Sequence, residues 1–188
     1  MKHLIKEYRK IIPPILCEKI IKYFDQDNLS HAQISLPSGK IDTNKKVRNC
    51  EITSIEPPKK LGEKLMVNYI KSRIHLMTED YIKPYKNFFV PTEIESIQFL
   101  KYAANEHEAG YNFHTDHGKN TSKRSLSISI CLNNNFIGGE FLFDVEGEIL
   151  KFPQNTGDAI IFPSNFLFPH QVNKIKSGTR YALVTWVL

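Results

Sequence analysis

His114, Thr115 and Asp116 set an imidazole and a carboxylate two positions apart. In an extended chain alternate residues point the same way, so both groups can face one ion. A third ligand must come from elsewhere, and His170, after Phe168-Pro169 and before a short apolar segment, is the natural candidate. Two imidazoles and one carboxylate on one face of an octahedron leave the opposite positions open, a set that suits non-haem Fe(II). Open positions admit a chelating co-substrate and O2. Arg180 follows in Ser177-Gly178-Thr179-Arg180, at the start of another strand-like run. Its charge is fixed, and its guanidinium can hold a carboxylate through two parallel hydrogen bonds. A dicarboxylate that chelates metal at one end needs such an anchor at the other.

Groups so far apart in sequence need a sheet to bring them together, and from about Pro91 the chain reads as β. Residues 94–102 are strand-like, and residues 125–132 alternate strictly, with Leu126, Ile128, Ile130 and Leu132 on one face. Short strands are predicted at 140–144, 148–152, 158–162 and 180–187, separated by turns at Gly138-Gly139, Glu146-Gly147, 155–157 and Ser177-Gly178. Many short strands so spaced predict a sandwich or barrel. Up to about Phe89 the chain reads as mainly helical. Pro13-Pro14 opens a helix through Phe24, with Leu16, Ile20, Ile21 and Phe24 at helical spacing. Residues 47–55 suit a sheet edge. Pro57-Pro58 precedes a long helix whose predicted apolar face is Leu61, Leu65, Met66, Tyr69, Ile70, Arg73, Leu76 and Met77, ending before Pro84.

The 188 residues suit one domain, 1–188, with 1–90 as mainly helical support and 91–188 as the β core. A hydrophobic fraction of 41% argues against disorder. The formal charge of +5 and a pI of about 9.0 come from Lys and Arg spread among Glu and Asp, without a long basic run, so a nucleic-acid footprint is not favoured. Cys17, Cys50 and Cys131 are widely separated and odd in number. They form neither a disulfide framework nor a CxxC zinc site, and buried thiols imply a reducing compartment. Residues 1–10 lack an apolar core of signal-peptide length, and no apolar run is long enough to span a membrane. The expected location is cytoplasmic.

A longer series of motifs makes the reading specific. Gln98-Phe99-Leu100-Lys101-Tyr102 is followed by Gly110-Tyr111-Asn112-Phe113-His114-Thr115-Asp116, then by a run from Arg124 to Asn133. Gly138-Gly139-Glu140, a run from Gly157 to Pro163, His170, Gly178-Thr179-Arg180 and Trp186 complete it. In this order the motifs resemble the 2-oxoglutarate oxygenases of the prolyl 4-hydroxylase-like superfamily, over about the C-terminal half of the chain. The resemblance implies an α+β fold, a double-stranded β-helix (jelly-roll) core with supporting N-terminal helices. It implies Fe(II) on His114, Asp116 and His170, the distal carboxylate of 2-oxoglutarate on Arg180 with help from the Tyr102 hydroxyl, and Trp186 near the co-substrate. Arg124 matches a basic residue that contacts substrate in some relatives. The implied reaction uses O2 and 2-oxoglutarate, with ascorbate as an accessory reductant. It hydroxylates an amino-acid side chain, foremost proline in a peptide or protein, and releases succinate and CO2. One departure stands out: residues 103–113 form a longer connection than the family's usual short turn.

Competing readings have less behind them. Oxidative dealkylation of nucleic acid would use the same metal centre, but no aromatic–basic interleaving for base stacking is present. A non-catalytic jelly-roll binding module would not need three ligands and an anchor in order. Zinc hydrolysis lacks a helical HExxH. His107 and His117 are read as solvent-exposed neighbours of the ligand pair, with a gating role open to His117. His3, His31 and His75 are read as structural or exposed. Phe113, Phe141, Phe143, Phe162, Phe166 and Phe168 are candidates to enclose the site, and residues 31–47 are a candidate lid.

Overall fold

The computed structural model describes residues 1–26, 28–36, 38–104 and 108–188. Two helices, α1 (Pro14–Phe24) and α2 (Leu61–Ile82), accompany short strands. The N-terminal strands are β1 (Lys6–Tyr8), β2 (Ser30–His31), β3 (Ile34–Ser35), β4 (Ile41–Asp42), β5 (Arg48–Asn49) and β6 (Glu51–Ser54). The central ones are β7 (Gln98–Ala103), β8 (Gly110–His114), β9 (Leu126–Cys131), β10 (Ile137–Gly138) and β11 (Phe141–Val145). Then come β12 (Glu148–Phe152), β13 (Ala159–Pro163), β14 (His170–Val172), β15 (Ile175–Ser177) and β16 (Thr179–Val187).

A seven-stranded sheet runs β1-β13-β9-β16-β7-β6-β2 and faces a five-stranded sheet, β12-β11-β14-β8-β5. All these pairings are antiparallel. This is the double-stranded β-helix, built on α+β lines. Alternation on the central strands makes two cores. Leu126, Ile128 and Ile130 of β9, with Leu132 just beyond it, meet Ile161 and Leu183 beneath Ile20, Phe24, Ile70 and Ile74 of the helices. On the opposite face, Leu100, Ile160 and Phe162 meet Phe141, Phe143 and Val172 of the smaller sheet.

α1 begins where the prolines predict, because the missing amide proton costs nothing in a first helical turn. The face predicted for α2 holds at Ile70 and Met77 and is misplaced at Leu61, Leu65, Tyr69 and Leu76. Its buried side chains are Val67, Ile70, Ile74, Met77 and Tyr81, with Glu63 and Thr78, whereas Leu61, Leu65, Tyr69 and Leu76 are exposed. The helix carries apolar residues around much of its circumference, so two rotated stripes were available. The sheet takes the one bearing the β-branched and aromatic groups. Glu63 accepts the Lys60 amide at 3.1 Å and the Tyr23 hydroxyl at 2.6 Å, which fixes the N-terminus of α2 beside α1.

The first ninety residues also supply strands. β1, β2 and β6 join the large sheet and β5 edges the small one. β1 is held at β13 by Asp158, which accepts hydrogen bonds from Arg9 Nη1 at 2.7 Å, the Lys10 amide at 3.0 Å and the Asn155 amide at 3.1 Å. The neighbouring Gly157 has φ +84°, and a Cβ there would lie 2.0 Å from the Ile12 carbonyl oxygen. Only glycine permits this approach.

Candidate metal centre and co-substrate cavity

β8 and β14 pair in the smaller sheet with His114 directly opposite His170. Asp116 lies just past the end of β8. Together they bring three ligand atoms to within 4.8 Å of one another. His114 Nε2 lies 3.7 Å from one Asp116 oxygen and His170 Nε2 lies 3.4 Å from the other. Both outer ring nitrogens are engaged: Nδ1 of His114 sits 2.8 Å from the Asn112 carbonyl and Nδ1 of His170 sits 3.1 Å from that of Phe168. Donation from Nδ1 leaves the Nε2 lone pairs facing inward, as metal binding requires.

The surroundings fix the charges. Burial, with His170 close by, pulls His114 down to about 3, so its imidazole is neutral and able to coordinate. For Asp116, burial favours the neutral acid, but His170, His114 and the Ser127 hydroxyl outweigh it and hold the carboxyl well below the usual range. Ser127 donates to Asp116 at 2.7 Å and stands 2.8 Å from the Ser164 hydroxyl. Thr121 braces the Asp116 carbonyl at 2.7 Å. His170 is buried against Phe141, Phe143 and Phe162, with ring centroids 5.4, 5.8 and 4.7 Å away. The donor set and its bracing fit Fe(II).

These residues open on a cavity of about 780 Å³ between the sheets, which suits a small co-substrate beside a side chain. Arg180, only 2% exposed, comes from β16 in the opposite sheet and lines the same space. It donates to Gln154 at 3.0 Å and has no carboxylate partner among the described residues. Tyr102 is its register partner on β7, with the guanidinium carbon 5.6 Å from the ring centroid. Burial raises the Tyr102 hydroxyl well above its ordinary value, so it remains a hydrogen-bond donor. Trp186 also lines the cavity. Arg124 lies 3.4 Å over the Trp186 ring and is held by Glu95 through two hydrogen bonds, at 2.8 and 2.7 Å. Its charge is therefore already matched.

Phe141 and Phe162 line the cavity, whereas Phe143 and Phe168 are buried in the core and Phe113 and Phe166 are exposed, Phe166 at 76%. The six phenylalanines do not form one enclosure. His117 is exposed at the cavity wall, His31 lines the mouth, and His75 pairs with Glu79 at 3.1 Å. His107 lies outside the described residues, as does part of the long connection between Tyr102 and His114. The β3–β4 hairpin stands over the cavity, its backbone held by Asn120 at Gly39 (2.9 Å) and by Lys119 at Ser38 (3.4 Å). The sequence reading missed Ser127, Ser129, Tyr111, Glu95, Gln154 and Arg48. The two serines had a signal: they occupy the polar phase of the β9 alternation.

A sequence model described as the 2OG-Fe(II) oxygenase superfamily matches residues 97–188. A PKHD-type hydroxylase of Prochlorococcus marinus (strain MIT 9301) is 36% identical over 105 residues, which cover 54% of this chain and 45% of that protein. One from Crocosphaera subtropica is 27% identical over 146 residues, covering 74% of this chain and 60% of that protein. The chain thus spans about half the length of the curated relatives it matches. Among solved structures, a Trichoplax adhaerens prolyl hydroxylase in complex with a hypoxia inducible factor peptide fragment superposes with a TM-score of 0.82 at 16% identity, covering 98% of this chain and 83% of that one. A Pseudomonas putida prolyl-4-hydroxylase gives 0.73 at 17% identity, with 98% and 91% covered. No helix among the described residues is long and apolar enough to cross a membrane. Motif order, metal geometry and sequence match agree: over residues 97–188 the chain is similar to the 2OG-Fe(II) oxygenase superfamily, and its fold is that of the prolyl hydroxylase structures.

Proposed function

We propose that the protein is a 2-oxoglutarate-dependent dioxygenase that hydroxylates an amino-acid side chain, with prolyl C4 of a peptide or protein as the leading substrate. The observation that carries this is the pairing of a braced His114–Asp116–His170 set with a buried, carboxylate-free Arg180 in one cavity. The named activities of the Trichoplax and Pseudomonas neighbours support the choice of proline.

In this reading His114, Asp116 and His170 hold Fe(II). Fe(II) held there would supply the O2-dependent oxidative decarboxylation of 2-oxoglutarate to succinate and CO2, with the second oxygen atom going into a substrate C–H bond. The protein's part is to position and to exclude water. Arg180 grips the distal carboxylate, with the Tyr102 hydroxyl as a further donor, and Gln154 keeps the guanidinium fork oriented. Ser129, whose buried hydroxyl has no partner, offers one more donor on the same wall. Trp186, held flat by Arg124, shapes the wall where substrate enters. Arg124 itself acts as a brace for that ring. The reducing, cytoplasmic setting expected of three buried thiols matches an Fe(II) enzyme.

The test is succinate formation from 2-oxoglutarate by protein loaded anaerobically with Fe(II), with ascorbate, with and without proline-rich peptides, beside His170→Ala. Turnover that rises with peptide and vanishes in the variant is expected. Turnover indifferent to peptide would remove proline and keep the oxygenase. No turnover and no Fe(II)–2-oxoglutarate charge-transfer absorbance would overturn the proposal.

A further inference from the structure

The cavity is lined by three guanidinium groups, and their partners differ. Arg124 is matched by Glu95. Arg180 faces the space assigned to the co-substrate, on the large sheet. Arg48 comes from β5, at the edge of the small sheet next to β8, and faces the same cavity. It has no acidic partner among the described residues. Its Nη1 donates to the Gln33 carbonyl at 3.0 Å, and its neighbours are the Cys50 thiol and the Tyr111 ring, with the guanidinium carbon 4.8 Å from the ring centroid. Its Nε is buried with no hydrogen-bond partner. A carbonyl, a thiol and a ring face leave its positive charge without an anionic counterpart, and the unpartnered Nε is withdrawn from solvent.

Its position is close to the chemistry. Tyr111 stacks on His114 with centroids 3.4 Å apart and planes 16° from parallel, so one ring touches both a metal ligand and the Arg48 guanidinium. The other charged groups lining the cavity are Lys119, tied to Ser38 at its mouth, and Asp116 at the metal. With Fe(II) and 2-oxoglutarate in place, Asp116 and Arg180 are occupied, and Arg48 and Lys119 remain as cavity cations without an acidic partner among the described residues, Arg48 being the one that reaches a metal ligand through Tyr111. A carboxylate is the planar, two-oxygen group that fits one guanidinium fork. A phosphate would call for several donors, and Arg48 offers a single guanidinium, flanked by the Tyr111 ring and the Cys50 thiol.

We infer that Arg48 is a specificity-determining residue of this oxygenase, and that the substrate presents a carboxylate to it, as the side chain of an acidic peptide does. This rests on the oxygenase reading above. The hydroxylated residue would then have aspartate or glutamate as a close neighbour.

The experiment uses the anaerobic Fe(II)–2-oxoglutarate holoprotein and its charge-transfer absorbance, which reports metal and co-substrate binding before any substrate is added. Two pools of capped tripeptides are titrated, each randomised at the centre, one flanked by glutamate and the other by glutamine. A lysine-flanked pool and a short single-stranded oligonucleotide complete the set. The glutamate pool should perturb the band at a concentration about tenfold or more below that of the glutamine pool. Arg48→Gln should erase that preference and leave the starting band intact, and Arg48→Glu should turn it toward the lysine pool. A merely structural arginine would not reverse its preference with charge. Equal responses of the wild type to the glutamate and glutamine pools, including none, overturn the inference without recourse to any variant. So does a preference that survives Arg48→Gln, or an Arg48-dependent response to the oligonucleotide alone. Absence of the starting band in the wild type would instead remove the oxygenase reading on which the inference rests.

Discussion

The two faces of the seven-stranded sheet carry different kinds of residue on the same strands. Toward the helices β9 presents Leu126, Ile128 and Ile130; toward the cavity it presents Ser127 and Ser129. β16 does the same, with Leu183 and Val187 on one side and Arg180 and Trp186 on the other. A period of two therefore separates stability from binding along a single strand. The apolar face pays for ordering the chain, and the polar face can hold buried hydroxyls and an unpaired guanidinium that a lone sheet could not support.

The comparison breaks if changes on the cavity side unfold the protein or changes on the helix side alter binding. The largest effect is expected at the metal. His170→Ala should abolish Fe(II) binding and turnover, a loss beyond the roughly 10–100-fold in metal affinity expected for Ser127→Ala, which removes only the hydroxyl bracing Asp116. Calorimetric titration under anaerobic conditions measures both, and Ser127→Ala should leave the melting temperature nearly unchanged. On the helix side, Ile128→Ala deletes buried methylenes from the larger core and should cost about 2–5 kcal/mol in urea unfolding. Below its transition the variant should bind Fe(II) and 2-oxoglutarate as the parent does. A shifted co-substrate affinity there would show that the faces are coupled.

Arg180→Met tests the reverse. Loss of charge-assisted hydrogen bonds should weaken 2-oxoglutarate binding about 10–100-fold. The apoprotein should be no less stable, because an apolar side chain of similar volume replaces a buried cation that lacks an acidic partner. A destabilised apoprotein would mean that the Gln154 and Tyr102 contacts do more than orient the fork.

Much of this division was readable in the sequence. Strict alternation at 125–132 marked a core strand, because period is a local property, and the order of His114, Asp116, His170 and Arg180 named groups that the fold brings to one cavity. What the sequence left hidden depends on partners distant in the chain. β1, β2 and β5 are two or three residues long and become strands only by pairing with β13, β6 and β8. The Glu95–Arg124 pair, and the absence of an acidic partner for Arg48 among the described residues, depend on segments meeting across the fold, and neither leaves a local signature. The phenylalanines misled for a related reason: Phe113 and Phe166 share a type with Phe141 and Phe162, but strand phase and loop position decide which way each faces.

Asp158 sharpens the comparison at the sheet's edge, where a charge serves stability alone. Burial would raise its carboxyl, yet hydrogen bonds from Arg9, the Lys10 amide and Asn155 hold it below its ordinary value. A lowered folded-state value means that the stabilisation is fully present above the unfolded value of about 3.9 and is lost as pH falls from there through the lower folded value. Asp158→Asn should cost about 1–3 kcal/mol at pH 7, and the gap from the parent should narrow as pH falls below about 3.9 in denaturant titrations. Fe(II) and 2-oxoglutarate affinities should stay as in the parent. A gap that persists at low pH would assign the effect to geometry in place of charge.

The smallest effect is expected on α2, where sequence and structure differ. Leu65 stands 63% exposed, while Ile74 is fully buried against the large sheet. Removing exposed methylenes loses little burial, and alanine is the better helix former, so Leu65→Ala should change stability by less than about 0.5 kcal/mol. Ile74→Ala opens a cavity beneath β9 and β16 and should cost about 2–5 kcal/mol. Paired urea titrations of the two variants decide which stripe of the helix the sheet uses. If Leu65→Ala were the costlier change, α2 would be rotated from the position described, and the apolar face of the large sheet would need different partners. Equal small costs would mean that α2 contributes little to the core, leaving the polar face of the sheet without the support on which its unpaired groups depend.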